Sequence, residues 1–367
     1  MISVSGRKWQ ERKTNTKLVE KIQQDFNFSK IISKLIIARN FDENEIYLID
    51  NFLELSNVFH KNQDFNKSVE LIEIAINNKE NICILGDYDV DGSVAVSLWI
   101  KFLENINHPY FYYIPDREKD GYGASKRLFQ KLIKKKPKLV VMVDCGSTSS
   151  EAIDYLNKNN IKTLVIDHHE ITKPFPKANM IINPKKNNGY IKYDYFCATT
   201  LTYFLIDNLI KKIKSDFKLS NFMIYVLLAT VCDVMLLRKI NKNIAINVLK
   251  NFDINKNEAF RILCEELNIK KKINIDDLGY LIGPILNSGG RLGFSNYATE
   301  LLTSKNPLIT KKRSIELIKL NNKRKELEKN TLSKIDFNKI KKENKNVIIY
   351  FDTNIKEGLI GIIASRL

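Results

Sequence analysis

No apolar run in the 367-residue chain reaches the roughly 20 residues that a membrane-crossing helix needs. The opening MISVSGRKWQERK is basic and polar and lacks the apolar core of a signal peptide. Both absences point to a cytoplasmic protein without membrane contact. The five cysteines, Cys83, Cys145, Cys197, Cys232 and Cys264, are odd in number, widely spaced and mostly set in apolar segments. That pattern excludes a disulfide framework and a thiolate zinc site, and fits a reducing compartment. The phosphate-binding pattern G-x-x-x-x-G-K-[ST] is absent, so ATP is not implied. Acidic residues fall well short of basic ones, leaving a formal net charge of +17. A polyanionic partner would explain this, but a background rich in Lys, Ile and Asn makes net charge a weak signal by itself. Its distribution says more: between Lys311 and Lys345 there are 13 Lys and Arg against 5 Asp and Glu. Such a segment serves either as a solvated helix face or as a nucleic-acid contact.

The hydrophobic content of 44% supplies core enough for two domains. Residues 1–78 read as a helical preamble packing on the core. From Asn81 onward, strand and helix patterns alternate: NICIL, SVAVSLWIKFLE, YFYYI, ASKRLFQKLIKK, LVVMV, SSEAIDYLNKN, TLVI and MII. This pace predicts an α/β fold, a doubly wound parallel sheet with helices on both faces. Helical spacing at Ala198–Ile213, Asn221–Thr230, Asn243–Asn251 and Glu258–Leu267 predicts an all-helical extension, so that residues 79–308 form one domain. GPILNSGGRLG, at Gly283–Gly293, reads as a glycine-rich loop. Residues 309–345 read as a long basic connecting helix, NVIIYF at Asn346–Phe351 as a new strand, and GLIGIIASRL as the helix after it. Residues 346–367 are thus expected to begin a second α/β domain that is cut off.

The chemistry gathers where apolar runs end. NICILG runs into DYDVDG and delivers Asp87, Asp89 and Asp91 to the carboxyl end of a buried strand, where open α/β sheets bind ligands. Three crowded carboxylates repel one another and call for a cation. DYDVDG also matches the first half of an EF-hand loop, but position twelve is Leu98 and a strand precedes it, which excludes that motif. Two later runs end the same way: VVMVDCGS places Asp144, and TLVIDHHE places Asp167, His168 and His169. In a parallel sheet these ends share one edge, and two of the chain's four histidines stand there. Mixed carboxylate and imidazole donors suit Mn²⁺, with Mg²⁺ as the alternative. The number of acids suggests two ions, about 3.5–4 Å apart, that activate water and clamp a phosphoryl group. Asp144, on the middle strand of the three, is the natural bridge.

DYDVDG, VDCGS and DHH in this order resemble the DHH phosphoesterase superfamily and, within it, the RecJ family of single-stranded-DNA exonucleases. DGYGAS, LLATVCDVMLL, GPILNSGGRLG, GLIGIIASRL and the lead-in NKSVELIEIAI resemble RecJ segments in the expected order. The resemblance implies Asp87 and Asp89 on one metal, Asp91, His168 and Asp233 on the other, and Asp144 between them. It also implies His169 facing the scissile phosphate, with Asp167 orienting its neighbours. Arg291 would grip a phosphate with Asn287 or Ser288 assisting, Gly289 and Gly290 would let backbone approach the nucleic acid, and Tyr122 would stack on a base. The implied activity is 5′-to-3′ hydrolysis of single-stranded DNA to mononucleotides in repair and recombination, by a monomer that works beside a single-strand-binding protein and a repair helicase. Ile285 stands where the family usually has Arg, and Gly290 where it has Ala. The family's glycine-glycine-histidine signature and OB-fold are not found, which leads us to expect an intact metal site with weakened substrate capture. The rival expectations are a DHH phosphodiesterase for short RNAs or cyclic dinucleotides and a non-catalytic replication scaffold of the same fold.

Overall fold

A computed structural model describes residues 2–8, 10–49, 58–59, 61–121, 123–186, 193–337, 340 and 347–367. The chain divides into two compact units, residues 1–55 with 238–243, and residues 56–237 with 244–367. In the smaller unit the helices Thr16–Phe26, Lys30–Ala38 and Glu43–Tyr47 surround a core of Ile22, Ile36 and Ile46. Each starts at a polar cap, Asn15, Ser29 or Asp42, whose side chain accepts a backbone N–H that the helix cannot satisfy.

The larger unit is built on a parallel sheet of five strands: β1 Ile82–Gly86, β2 Tyr110–Tyr113, β3 Leu139–Val143, β4 Lys162–Ile166 and β5 Met180–Ile182, in the order β2-β1-β3-β4-β5. β1 and β3 run in register from Ile82 opposite Leu139 to Gly86 opposite Val143. β1 and β3 are buried throughout, as strands covered on both faces must be. Cys83, Leu85, Val140, Met142 and Val165 face a core completed by Leu128, Phe129, Ile153 and Leu156 from the helices Lys126–Leu132 and Ser150–Lys158. The helix Val90–Asn105 packs on β1 and β3, the helix Ala198–Ile213 on β3 and β4, and the helix Gln63–Asn77 on Ala198–Ile213 and β5. The chain steps outward from β1 to β2 and then returns to the other side of β1 for β3. The crevice between the carboxyl ends of β1 and β3 is therefore the topological switch point, the place where such sheets hold ligands.

The helical extension follows as expected, with helices Ala198–Ile213, Met223–Cys232, Lys239–Asn251 and Glu258–Glu266. Two segments depart from the sequence reading. GPILNSGGR is not a loop: Gly283–Arg291 is an α-helix that continues from a π-helical turn, Asp277–Ile282. Its glycines serve close packing, since a Cβ on Gly290 would lie 2.6 Å from the Tyr88 carbonyl oxygen and one on Gly289 2.8 Å from that of Phe294. The expected strand at Asn346–Phe351 also does not form over its described part, residues 347–351. No described residue pairs with this segment, and an apolar run without a ladder partner is no strand, which leaves Val347, Ile349 and Phe351 exposed. The basic helix spans Pro307–Leu332 and lies against the helices Glu258–Glu266, Gly283–Arg291 and Tyr297–Thr303. It buries Thr310, Ser314, Leu317 and Asn321.

Glycine at position 92 is required by the turn itself, because a Cβ there would meet the Asp87 backbone at 2.5–2.8 Å. Gly361, within the helix Ile360–Ala364, has nothing within 4 Å of the equivalent point. In urea unfolding, Gly92→Ala should cost about 1–3 kcal/mol or more, whereas Gly361→Ala should be neutral or stabilising by up to about 1 kcal/mol.

Candidate metal centre

The turn after β1 is set by its acids acting as helix caps. Asp89 is the N-cap of Val90–Asn105, and its Oδ1 accepts the Gly92 N–H at 3.0 Å. Asp91 lies two residues on, in the first turn of that helix, and is buried. Its Oδ2 accepts the Ala198 N–H at 2.7 Å and its Oδ1 the Thr199 N–H at 2.8 Å, so it caps the helix Ala198–Ile213. Asp144 follows β3 in the left-handed backbone region, φ 59°, which Asp tolerates better than most residues. Its N–H donates to the Ile166 carbonyl at 2.9 Å, leaving both carboxylate oxygens buried with no hydrogen-bond partner. Asp233 is the C-cap of Met223–Cys232, and its Oδ2 lies 3.3 Å from His168 Nε2.

These groups converge. Donor atoms of Asp87, Asp89 and Asp144 lie within 4.8 Å of one another, as do those of Asp91, His168 and Asp233, and those of Asp144, His168 and His169. His168 Nε2 is 3.3 Å from Asp144 Oδ1 and 3.7 Å from Asp91 Oδ2. Burial drives the Asp87 carboxyl up to about 8, helped by the Asp89 charge. Burial, with Asp91 and Asp89 adding to it, does the same to Asp233, also to about 8. Asp144 is raised well above the usual range by burial and then by Asp89, Asp91 and Asp87, while burial lowers His168. Asp87 Oδ1, both Asp144 oxygens, Asp233 Oδ2 and His168 Nε2 are buried without hydrogen-bond partners among the described residues. Unpartnered buried acceptors are costly, and an oxygen-rich set with one imidazole fits divalent cations.

Asp167 stands apart from this set because its oxygens are already committed. Oδ1 accepts from the His168 N–H at 2.8 Å and from His169 Nδ1 at 2.8 Å, and Oδ2 accepts the Ser147 N–H at 3.0 Å. Burial would raise this carboxyl, but the bonds from His169 and Ser147 hold it well below the usual range. The same bond to Asp167 raises His169 to about 9, so its ring carries a proton at neutral pH. With Nδ1 turned to Asp167 and 46% of its side chain exposed, His169 can present Nε2–H to the groove of about 580 Å³ that it lines with Ser147, Thr148 and Ser149. Cys145 faces the same groove, but burial and then Asp167 push its thiol well up, which removes it as a nucleophile.

The residues predicted to bind substrate fall out differently. Arg291 is partly buried; its Nη1 donates to the Gly358 carbonyl at 2.9 Å, and burial lowers its pKa from the ordinary guanidinium value. Asn287 is partly buried, and its Oδ1 accepts the Val90 N–H at 3.0 Å and so pins the start of the metal-turn helix. Ser288 is buried, with its hydroxyl donating to the carbonyls of Ile285 and Leu317. Gly289 and Gly290 are buried against Phe294 and Tyr88, so neither offers backbone to a ligand. Helical packing at this point overrides the loop reading. Tyr122 lies outside the described residues.

Three positioning or charged residues escaped the sequence reading. Asn183, after β5, donates to the Ser147 hydroxyl at 2.8 Å and the His169 carbonyl at 2.9 Å, tying the β3 and β4 turns together. Arg117, after β2, donates to the Tyr88 hydroxyl at 2.6 Å, and its guanidinium lies 5.4 Å from the Tyr88 ring centre. Asn183, Ser147 and Arg117 all follow the carboxyl ends of strands, so the rule that found the acids would have found them.

Residues 81–231 match the DHH family, N-terminal domain. The chain is 22% identical to the single-stranded-DNA-specific exonuclease RecJ of Bacillus subtilis, a match covering 99% of this chain and 46% of that protein. It is 26% identical to RecJ of Escherichia coli K12 over 82% of this chain and 55% of that one. In three dimensions it superposes on RecJ from Thermus thermophilus in complex with Mn²⁺ with a TM-score of 0.78, at 20% identity, over 96% of this chain and 50% of that one. A second manganese-bound RecJ structure gives a TM-score of 0.76, at 23% identity, over 85% and 78%. The chain spans about half the length of the curated relatives it matches.

The raised carboxyls make a prediction with a definite sign. A carboxyl that binds its proton more tightly when folded costs stability as pH rises from its unfolded value, near 4, through its folded one. For Asp87 and Asp233 that upper value is about 8. In chelator, the melting temperature of the larger unit should therefore fall from pH 5.5 to pH 8. Mn²⁺ should reverse the loss and release protons on binding. Asp144→Asn should diminish both the reversal and the proton release in calorimetry.

Proposed function

We propose that the chain is the catalytic core of a divalent-metal-dependent nuclease that hydrolyses single-stranded DNA from the 5′ end and releases 5′-mononucleotides. The observation that carries the chemistry is the set of buried, unpartnered donors on Asp87, Asp144, Asp233 and His168 at the switch point of the sheet. The substrate class is supported by the relatives, which are named for activity on single-stranded DNA and match nearly the whole chain.

Asp87, Asp89 and Asp144 would hold one ion, and Asp91, His168, Asp233 and the shared Asp144 a second. Mn²⁺ suits this donor set, with Mg²⁺ as the alternative. Divalent ions in these positions supply Lewis acidity that activates water and draws charge off a phosphoryl group. The chain's own residues do the rest. As the water oxygen bonds to phosphorus, the P–O3′ bond breaks, and O3′ leaves with the released nucleotide and needs a proton. His169, protonated through its bond to Asp167, can supply it from Nε2. Arg117 and Arg291 flank the turn that carries Asp87 and Tyr88 and provide positive charge for a phosphate there. On the basic helix, Arg313 and Arg324 are neutralised by Glu300, Glu316 and Glu328. Lys312, Lys319 and Lys323, exposed on one face at helical spacing, remain to meet a phosphate backbone.

With Mn²⁺ and a 5′-labelled oligodeoxynucleotide, Asp144→Ala should abolish mononucleotide release, and His169→Gln should slow it about 10²–10⁴-fold. A wild-type protein that prefers a dinucleotide to the long strand would sink this reading in favour of a small-oligonucleotide phosphodiesterase. Replacing Lys312, Lys319 and Lys323 together with Ala should flatten the slope of log K against log salt by about 2, without changing Mn²⁺ binding.

A further inference from the structure

The helix that delivers Asp233 ends in a strained way. The Val234 N–H donates to the Val231 carbonyl at 3.2 Å and the Met235 N–H to that of Thr230 at 3.0 Å, the two bonds of a Schellman turn. The residue in the left-handed position of such a turn is normally glycine, because a β-branched side chain there crowds its own backbone. Here it is valine, at φ 56°. Burial does not compensate for this, since Val234 is 86% exposed; Leu236, two residues on, is 63% exposed.

A third apolar group stands close by. The π-helical turn Asp277–Ile282 packs on the same helix end: the Cys232 thiol donates to the Leu278 carbonyl at 3.7 Å, and a Cβ on Gly279 would lie 3.0 Å from Val231 Cγ1. The extra residue of a π-turn alters the helical register locally. Between Gly279 and the buried Ile282 it carries Tyr280, 83% exposed. Val234 and Leu236 follow Asp233 in the chain, and Tyr280 stands on the turn packed against the same helix end; these exposed apolar groups make a lip at the end of the helix that carries Asp233, whose carboxylate is 3.3 Å from His168 Nε2.

We propose that this lip is the contact for an unpaired nucleobase of the strand threaded into the metal centre, and that Val234 holds its strained backbone for that contact. The inference rests on the nuclease reading and deepens it. A lip continuous with an acid of the metal centre meets whatever part of the substrate lies next to the scissile phosphate. In a nucleic acid the apolar part is the base face, which only a single strand leaves free to lie on valine, leucine and tyrosine. The lip therefore contributes to the preference for single strands.

The test uses the 367-residue chain as wild type, Val234→Gly and Tyr280→Ser, with melting curves, Mn²⁺ calorimetry, and binding and cleavage of two 5′-fluorescent strands. One strand is intact, and the other is abasic at its first four nucleotides. Val234→Gly should raise the melting temperature by about 1–4 °C through relief of strain, and leave Mn²⁺ affinity unchanged. Both variants should bind the intact strand about 5–100-fold more weakly, and both should lose the wild type's preference for intact over abasic DNA. A stabilised Val234→Gly that binds the two strands as the wild type does would overturn the proposal, as would a wild type indifferent to the missing bases. A wild type that binds strands and discriminates between them, yet cleaves neither, would refute the nuclease reading and uphold the lip. One that binds no strand at all refutes both.

Discussion

Mutual repulsion among buried acids governs this structure. Asp87, Asp89 and Asp144 are brought within a few ångströms where water is largely excluded, with Asp91 beside them, and burial and neighbouring charge both oppose the ionisation of Asp87, Asp89 and Asp144. Such a cluster persists only because other forces hold it. The sheet fixes where β1 and β3 end, and two of the acids are fastened as helix caps, Asp89 on its own helix and Asp91 on the helix Ala198–Ile213. Asn287 closes the arrangement from a third helix by accepting the Val90 N–H. A divalent cation would resolve the repulsion on a scaffold that these bonds already hold, which is what a preorganised metal centre requires.

The two histidines of the DHH turn illustrate how environment divides labour between like groups. His168 is buried among carboxylates with Nε2 unpartnered, and burial depresses its proton affinity, so it suits a cation. His169, one residue on, is half-exposed and leans on Asp167, which raises its proton affinity. One is fitted to give an electron pair and the other to give a proton. Asp167 enforces the difference by committing its own oxygens to both backbone N–H groups and to one ring.

Much of the sheet was legible in the sequence because buried parallel strands are short apolar runs with polar ends, and all five appear at the positions their patterns indicate. Asp87, Asp89, Asp91, Asp144, Asp167, His168 and His169 stand where such runs stop, whereas Asp233, at the end of a helix, was singled out only through the family resemblance. What stayed hidden depends on tertiary packing. GPILNSGGR carries glycines that look like a loop, but their missing side chains admit Tyr88 and Phe294 to a helix surface. Ser288 and Asn287 looked free for substrate until partners distant in sequence, Leu317 and Val90, claimed them. NVIIYF has the composition of a strand, yet its described part lacks a ladder, since composition can favour extension but cannot supply a neighbour. The buried stripe of the basic helix, Thr310, Ser314, Leu317 and Asn321, is mostly polar and gives little periodic signal.

The bonds that fasten the acid cluster also set the order in which the centre can come into being. Asp91 meets Ala198 across a separation of 107 residues, and Val90 meets Asn287 across 197. Contacts of that span close large loops, so they form late in folding and, during synthesis, only after the second partner has left the ribosome. Until then Asp91 has no helix to cap and the Val90 N–H no side chain to meet. The centre is therefore among the last features to mature, and a chain halted before the helix Gly283–Arg291 would carry all of its acids and histidines without the bond that pins their turn.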